Sequence, residues 1–330
     1  MNGLDRKGLF QNNGCMAYLV FRQLIVMTLI CVIGYLLAKW KHFGEKESQF
    51  LSYLLLYVVT PCLIIDTYNV PFDGEKLTHF LIMLGLSTLT FMLLILFSSL
   101  LFGKPKSEAD DRTRSLDKMI IVYSNAGYIG IPIISAVLGQ EAVFYLMVYI
   151  LIFNTVLWIH GQYLMTRTIS LKAVLTKPAV LASAFSILLF LSPWKLPYVV
   201  GSTVHLFATL NTPVSMVVLG IVFACFKKPD EPLPIKHLVR ITFLRLIAVP
   251  MVVLVLLYLS KPFFSIHPTL QMISIILLIV SACPAGLVAT NFALLYKKDY
   301  TYASFAIAVT TVLCVATLPL CTALGETLLL

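Results

Sequence analysis

Apolar residues in this chain come in long blocks. They neither alternate with polar residues, as in a half-buried strand, nor keep to one helical stripe. Ten blocks reach the roughly 20 residues that a helix needs to cross a hydrocarbon layer. They are Ala17–Ala38, Gln49–Tyr68, Leu77–Phe102, Leu116–Leu138, Ala142–Thr166, Ala173–Ser192, Val200–Phe226, Leu238–Ser260, Leu270–Tyr296 and Tyr300–Leu324. The connections are short, leaving no soluble domain and no low-complexity segment; Lys297-Lys298-Asp299 alone separates the last two blocks. The first block is longer than the apolar region of a signal peptide, carries Arg22 and Gln23, and ends without a small-residue cleavage site, so it stays as a helix. The pattern predicts an all-α polytopic membrane protein with ten transmembrane helices.

Composition agrees. Of 330 residues, 59% are hydrophobic and 12% charged, with mean hydropathy +0.93, where a soluble domain carries ~25% charge. The formal charge of +9 would suggest nucleic acid for a soluble protein. Here the basic residues sort by side of the membrane instead. Seventeen of the 24 Lys and Arg fall at odd-numbered connections, from Lys39 and Lys41 to Lys297 and Lys298; Arg6, Lys7, Lys76, Lys195 and Lys261 fall opposite. The positive-inside rule puts the odd connections in the cytoplasm and both termini outside an inner (plasma) membrane. Lipid, not nucleic acid, is the expected surrounding. Of seven cysteines only Cys15 stands clear of the apolar blocks, and none forms a CxxC pair, so they read as small packing residues. No GxSxG, HExxH or pair of intramembrane carboxylates occurs, and the six histidines are scattered; no enzyme, metal site or cofactor is expected.

The blocks repeat. Thr60-Pro61 in the second recurs as Thr212-Pro213 in the seventh, and Pro132 in the fourth as Pro284 in the ninth, both at an offset of 152. Five helices per half is an odd number, so residues 169–330 enter the membrane from the face opposite to residues 1–168. That is an inverted-topology repeat, common among secondary transporters.

The fourth block reads Tyr123-Ser124-Asn125-Ala126-Gly127-Tyr128-Ile129-Gly130-Ile131-Pro132. Its proline removes a backbone donor and its glycines leave backbone bare. Such a break is tolerated only against protein or a water-filled cavity. The ninth block carries Ser281-Ala282-Cys283-Pro284-Ala285-Gly286 and then Thr290-Asn291. Asn125 precedes Pro132 by seven residues and Asn291 follows Pro284 by seven, so in oppositely directed helices both carboxamides fall on the cytoplasmic side of a break, at a common depth. Two carboxamides beside half-helix N-termini suit a carboxylate. The plainer alternative is a pair of kinks with small-residue packing and helix–helix hydrogen bonds.

Asn125 to Pro132 resembles the helix-four signature of the auxin efflux carrier family. Phe153-Asn154, Trp158 and Gly161, the Pro284 to Asn291 stretch, and Thr310-Thr311 with Pro319 are similar to the same family. The resemblance covers essentially the whole chain and, without a long central hydrophilic loop, fits the compact bacterial type. It implies a fold like that of sodium/proton antiporters or bile acid symporters. Helices 1, 2, 6 and 7 would be a scaffold, able to pair in a homodimer. Helices 3–5 and 8–10 would be a transport domain moving as an elevator, with helices 4 and 9 crossing at their prolines. It also implies a small organic anion as substrate (malate, malonate or an auxin-like monocarboxylate), with Asn125 and Asn291 as ligands and Ser124, Gly127, Gly130, Pro132, Pro284 and Thr290 around them.

Ionisable residues within the blocks are costly and hence candidates. Arg245 neutralises an anionic substrate, or snorkels or pairs inside the bundle. Asp66 and His160 are candidates for ion coupling, whether proton or sodium; a solvated Asp and an interface-bonding His are the plain readings. A receptor or a channel on the same fold is the rival to a carrier.

Overall fold

The computed structural model describes residues 16–40, 43–103, 108–169, 175–225, 235–264 and 267–330. Arg6, Lys7, Cys15, Lys41, Lys104, Lys106, Lys172, Lys227 and Lys228, used above, lie outside them, as do residues 173–174 and 226 at the ends of two predicted blocks. Helix is the only regular structure among the described residues. In chain order the segments are α1 (Met16–Lys39), α2 (Lys46–Tyr68), α3 (Gly74–Phe102), α4 (Glu108–Val122), α5 (Ala126–Leu138), α6 (Gln140–Thr166), α7 (Pro178–Leu191), α8 (Tyr198–Ala224), α9 (Ile235–Pro262), α10 (Pro268–Ala282), α11 (Val288–Leu295) and α12 (Tyr300–Leu329). Seven of them (α1, α2, α3, α6, α8, α9 and α12) are long and apolar enough to cross a membrane. The fourth and ninth predicted blocks are each two segments, α4 with α5 and α10 with α11, none of which spans ~30 Å alone.

Burial follows from the apolar pattern. α10 is apolar all round, and every residue from Met272 to Ala282 is buried, which puts it at the centre of the bundle. α1 buries Met16, Val20, Leu24, Met27 and Gly34 on one face and exposes Leu29 and Ile33 on another. An apolar outer face of this kind has lipid as its solvent. α1 packs on α8 and α12, α2 on α7 and α8, α3 on α4 and α6, and α10 on α9, α12 and α6.

Four single π-helical turns interrupt the helices: Leu55–Val59, Ala126–Gly130, Leu157–Gly161 and Leu244–Ala248. Three of them end two residues before a proline, namely Pro61, Pro132 and Pro250. A proline ring collides with the carbonyl four residues back and offers that carbonyl no N–H. In all three cases that carbonyl lies within the widened turn, so the π geometry absorbs the proline without unwinding the helix.

Glycine sets the closest helix contact. A Cβ on Gly34 of α1 would overlap the Val217 backbone of α8, and one on Gly220 of α8 would overlap the Cys31 carbonyl of α1. The two backbones touch because both positions lack a side chain. Gly34→Ala and Gly220→Ala should therefore lower the melting midpoint in detergent. Overpacking costs about 1–3 kcal/mol, outweighing the ~1 kcal/mol that alanine contributes over glycine in a helix. Gly85→Ala on α3, where a Cβ meets open space, should leave the midpoint unchanged or raised.

Candidate functional site

α4 ends at Val122, the chain unwinds through Tyr123, Ser124 and Asn125, and α5 restarts at Ala126. α10 ends at Ala282, unwinds, and restarts as α11 at Val288. The two unwound stretches cross and pair antiparallel, Ser124 opposite Ala285. The Asn125 N–H donates to the Pro284 carbonyl (2.8 Å), and the Gly286 N–H donates to the Tyr123 carbonyl (3.0 Å). Gly286 is required, because a Cβ there would lie 2.8 Å from the Ser124 carbonyl oxygen. The crossing is thus at Pro284 but not at Pro132, contrary to the expectation of a crossing at both prolines. Pro132 sits inside α5, carried by the π turn before it.

Four half-helix ends meet here. The two C-terminal ends are held by Arg245, which projects from the π turn of α9 and is 0% exposed. Its Nη1 donates to the Ile121 carbonyl of α4 (2.6 Å). Its Nη2 donates to the carbonyls of Ser281 (2.9 Å) and Cys283 (2.8 Å) at the end of α10, and its Nε to Cys283 again (3.2 Å). The guanidinium therefore resolves as a carbonyl clamp, one of the pairings inside the bundle weighed for it. On α12, Thr310 Oγ1 accepts from the Ala285 N–H (3.3 Å).

The N-terminal ends differ from each other. At α5 the Asn125 carbonyl takes the N–H groups of Ile129 (2.9 Å) and Gly130 (3.2 Å), while the earlier N–H groups of Ala126, Gly127 and Tyr128 have no intrahelical acceptor. Asn125 is 4% exposed and its Nδ2 has no hydrogen-bond partner. A Cβ on Gly127 would meet open space, so the first turn of α5 is bare on that side. Ser124 is buried beside the Tyr149 hydroxyl. At α11, Thr290 is buried with its hydroxyl turned back on the Leu287 carbonyl (2.8 Å), while Asn291 is exposed. Asn125 is in the crossing, whereas Asn291 lies on α11, six residues after Ala285, so the two carboxamides differ in surroundings.

Two cavities of about 260 Å³ flank α5. One is polar and is bounded by Gln23, Asp66, Pro132, Gln140, His205 and Asn211 among others; the second is apolar and lies against Ile129, between α1, α8 and α12. Asp66 pairs across the first cavity's rim with His205 Nδ1 (2.9 Å). His160 Nδ1 is 3.0 Å from the Tyr123 hydroxyl, which also donates to the Val156 carbonyl (3.1 Å). Both are pairings, with His160 only one residue removed from the crossing.

Two features escape sequence reasoning. Asn211 of α8 is buried, and its Nδ2 reaches the Gly127 carbonyl (3.4 Å), a long contact from a second element onto α5; the preceding position to Thr212-Pro213 would have pointed to it. Asp117 of α4 is fully buried. It accepts from the Tyr302 hydroxyl (2.5 Å) and lies 2.8 Å from His237 Nε2, joining α4, α12 and α9. In sequence it stands at the very start of the fourth apolar block, within the charged run from Glu108 to Lys118, and nothing local points to His237 or Tyr302.

Replacing Arg245 tests the clamp. Arg245→Gln leaves three buried carbonyls short of donors, at about 1–3 kcal/mol each, so the melting midpoint and the yield of monodisperse protein should fall together. Arg245→Lys, whose ammonium lacks the planar fork, should rescue only part of the loss. Wild-type melting in Arg245→Gln would show that the clamp does not hold the crossing.

The curated proteins give no match to the chain. The model of a family described as membrane transport protein matches it in two stretches, residues 19–173 and 163–322. Those stretches take in both broken helices and all the apolar segments that surround them, so the chain belongs to the membrane transport protein family, the family of the auxin efflux carriers, and is a multi-pass membrane transporter.

Proposed function

We propose that the protein is a secondary carrier of a small organic anion, a dicarboxylate or an auxin-like monocarboxylate, held at the crossing by the start of α5. The observation that carries this is the Asn125 carboxamide, buried at a helix N-terminus with its Nδ2 unpartnered. An unmet buried donor costs about 1–3 kcal/mol, and a carboxylate oxygen would satisfy it where the helix dipole also favours negative charge. Gly127 leaves the adjoining backbone open to such a ligand. The polar cavity of about 260 Å³ borders the same helix farther on, at Ile131, Pro132 and Ser135, and meets Asn211, whose carboxamide reaches the Gly127 carbonyl.

The same reading takes α1, α2, α7 and α8 as a scaffold and the remaining segments as the moving body. Its support is that both cavities lie where α1 and α8 meet α5. Ten spans in two inverted halves, 1–168 and 169–330, a plasma-membrane location with both termini outside, and pairing of two copies through the scaffold belong to this proposal. Asp66 with His205 is its site for ion coupling, since the pair lies in the polar cavity rather than behind it.

Uptake of labelled dicarboxylate into proteoliposomes is expected to saturate and to be stimulated by internal substrate. Large unsaturable currents would instead make the protein a channel. Asn125→Ala should cut uptake at least tenfold with an unchanged melting midpoint. Asn291→Ala should have the smaller effect, because that side chain is already exposed. Normal uptake by Asn125→Ala would make the carboxamide structural.

A further inference from the structure

We propose that Glu75, His79 and His267 form a binding site for a transition-metal ion of the zinc class, at the end of the bundle where α3 and α10 begin. Glu75 and His79 are four residues apart on α3, which puts them on one face of the helix. The helix start is fixed by Asp73, whose carboxylate accepts the Glu75 N–H (2.9 Å). His267 is the N-cap of α10, with Nδ1 accepting from the Thr269 N–H (3.3 Å) and Pro268 at the first helical position. These two helix starts bring together histidines 188 residues apart in sequence, which is why the scattered histidines gave no metal motif.

The three ligand atoms all lie within 4.8 Å of one another. His267 Nε2 is 3.1 Å from Glu75 Oε1, and the two imidazole rings are 4.9 Å apart between centroids. Tetrahedral zinc with nitrogen and oxygen ligands at about 2.0–2.2 Å needs ligand atoms roughly 3.3 Å apart. One edge is at that spacing already. The others need at most about 1.5 Å of closure, within reach of ring rotation and of the exposed, mobile-length Glu75 side chain.

His79 supplies the second, independent indication. It is 7% exposed, touches the Tyr145 ring edge-on (6.3 Å between centroids), and makes no hydrogen bond among the described residues. Its ring nitrogens therefore have no protein partner to give up, and a lone pair is available to a metal ion. Three carboxylates, Glu75, Asp73 and Glu141, act on His79 electrostatically, opposed by the His267 ring. Two imidazoles and one carboxylate favour Zn²⁺ and its neighbours over Mg²⁺ or Ca²⁺, which prefer all-oxygen shells. Coordination through His267 Nε2 moves that ring's proton to Nδ1 and releases the long Thr269 cap, so the bound ion replaces two weak contacts with three metal bonds. A water completes the fourth position on the exposed side. The site is remote from the crossing: His267 precedes Cys283 by sixteen residues, about 24 Å of helix.

The test uses full-length protein purified with an affinity tag free of histidine and stripped with chelator. Calorimetric titration with ZnCl₂ should show one ion per chain, ZnCl₂ should raise the melting midpoint, and MgCl₂ should not. Co²⁺ should give the visible absorption of a tetrahedral site. Glu75→Gln, an exposed change that leaves packing intact, should weaken Zn²⁺ at least tenfold, and His79→Gln with His267→Gln should abolish the cobalt spectrum. No binding to the wild type would overturn the proposal, as would Zn²⁺ binding of undiminished affinity to Glu75→Gln and to the double histidine variant.

Discussion

A fully buried guanidinium rests on the carbonyl ends of two different helices. Burying that charge costs several kcal/mol, and among the described residues no carboxylate contacts Arg245 to offset it. Its counter-charge is instead spread over backbone, in the carbonyls of Ile121, Ser281 and Cys283, which are the negative ends of α4 and α10. The same contacts answer a second problem, because a helix that stops inside a membrane strands its last carbonyls. One side chain thus makes two helix breaks tolerable. The arrangement is mutual, since Arg245 without the two breaks would be an unpaired charge, and the breaks without Arg245 would be unmet acceptors.

From this follows the polarity of the crossing. With the C-terminal ends neutralised, the uncompensated partial charges are the N–H groups at the start of α5, beside Asn125. The positive ends of those dipoles are what the proposed anion would meet. The clamp also joins α9 to α4 and α10, and the Asp117 contacts with His237 and Tyr302 add α12. Four segments are therefore held by two polar knots, a cohesion suited to a body that moves as one. Among the described residues α8 meets the start of α5 through the 3.4 Å bond from Asn211 to Gly127 and through Tyr128, which packs on the cluster of Leu55, Val59 and Val218.

Most of the fold was legible because lipid imposes a simple rule. Where helices are continuous, runs of apolar residues gave their ends to within a few residues, as for Met16–Lys39 against the predicted Ala17–Ala38. Prolines located the ninth break but misplaced the fourth. A proline marks a lost hydrogen bond, and there are two ways to lose one: unwinding, as at Pro284, or a π turn, as before Pro132. The choice depends on what receives the freed carbonyls, which are contacts with Arg245 and Gly286 far away in sequence. Asn125 was legible as a buried amide beside glycines. Arg245 was legible as an intramembrane charge but not as a clamp, and Asp117, at the edge of the fourth block, has partners 120 and 185 residues away that no local pattern reveals.

The unequal use of the two prolines bears on how far the inverted repeat can be symmetric. The prolines recur at an offset of 152, but the two asparagines stand 166 residues apart; one is in the crossing and the other is exposed in the first turn of α11. Only one arginine is available, and it comes from α9; its counterpart 152 residues earlier is Leu93, on α3. A single clamp cannot sit symmetrically between two antiparallel helices, because it approaches from one side. Three of its four bonds go to carbonyls of α10 and the unwound residue after it, and one goes to α4. The stretch after α10, with its acceptors and Pro284 held, extends through five residues, while that after α4 is only three residues long, so α5 begins nearer the crossing than α11 does. One buried charge thus ties the two breaks unequally, and the two half-helix starts at the crossing differ in turn.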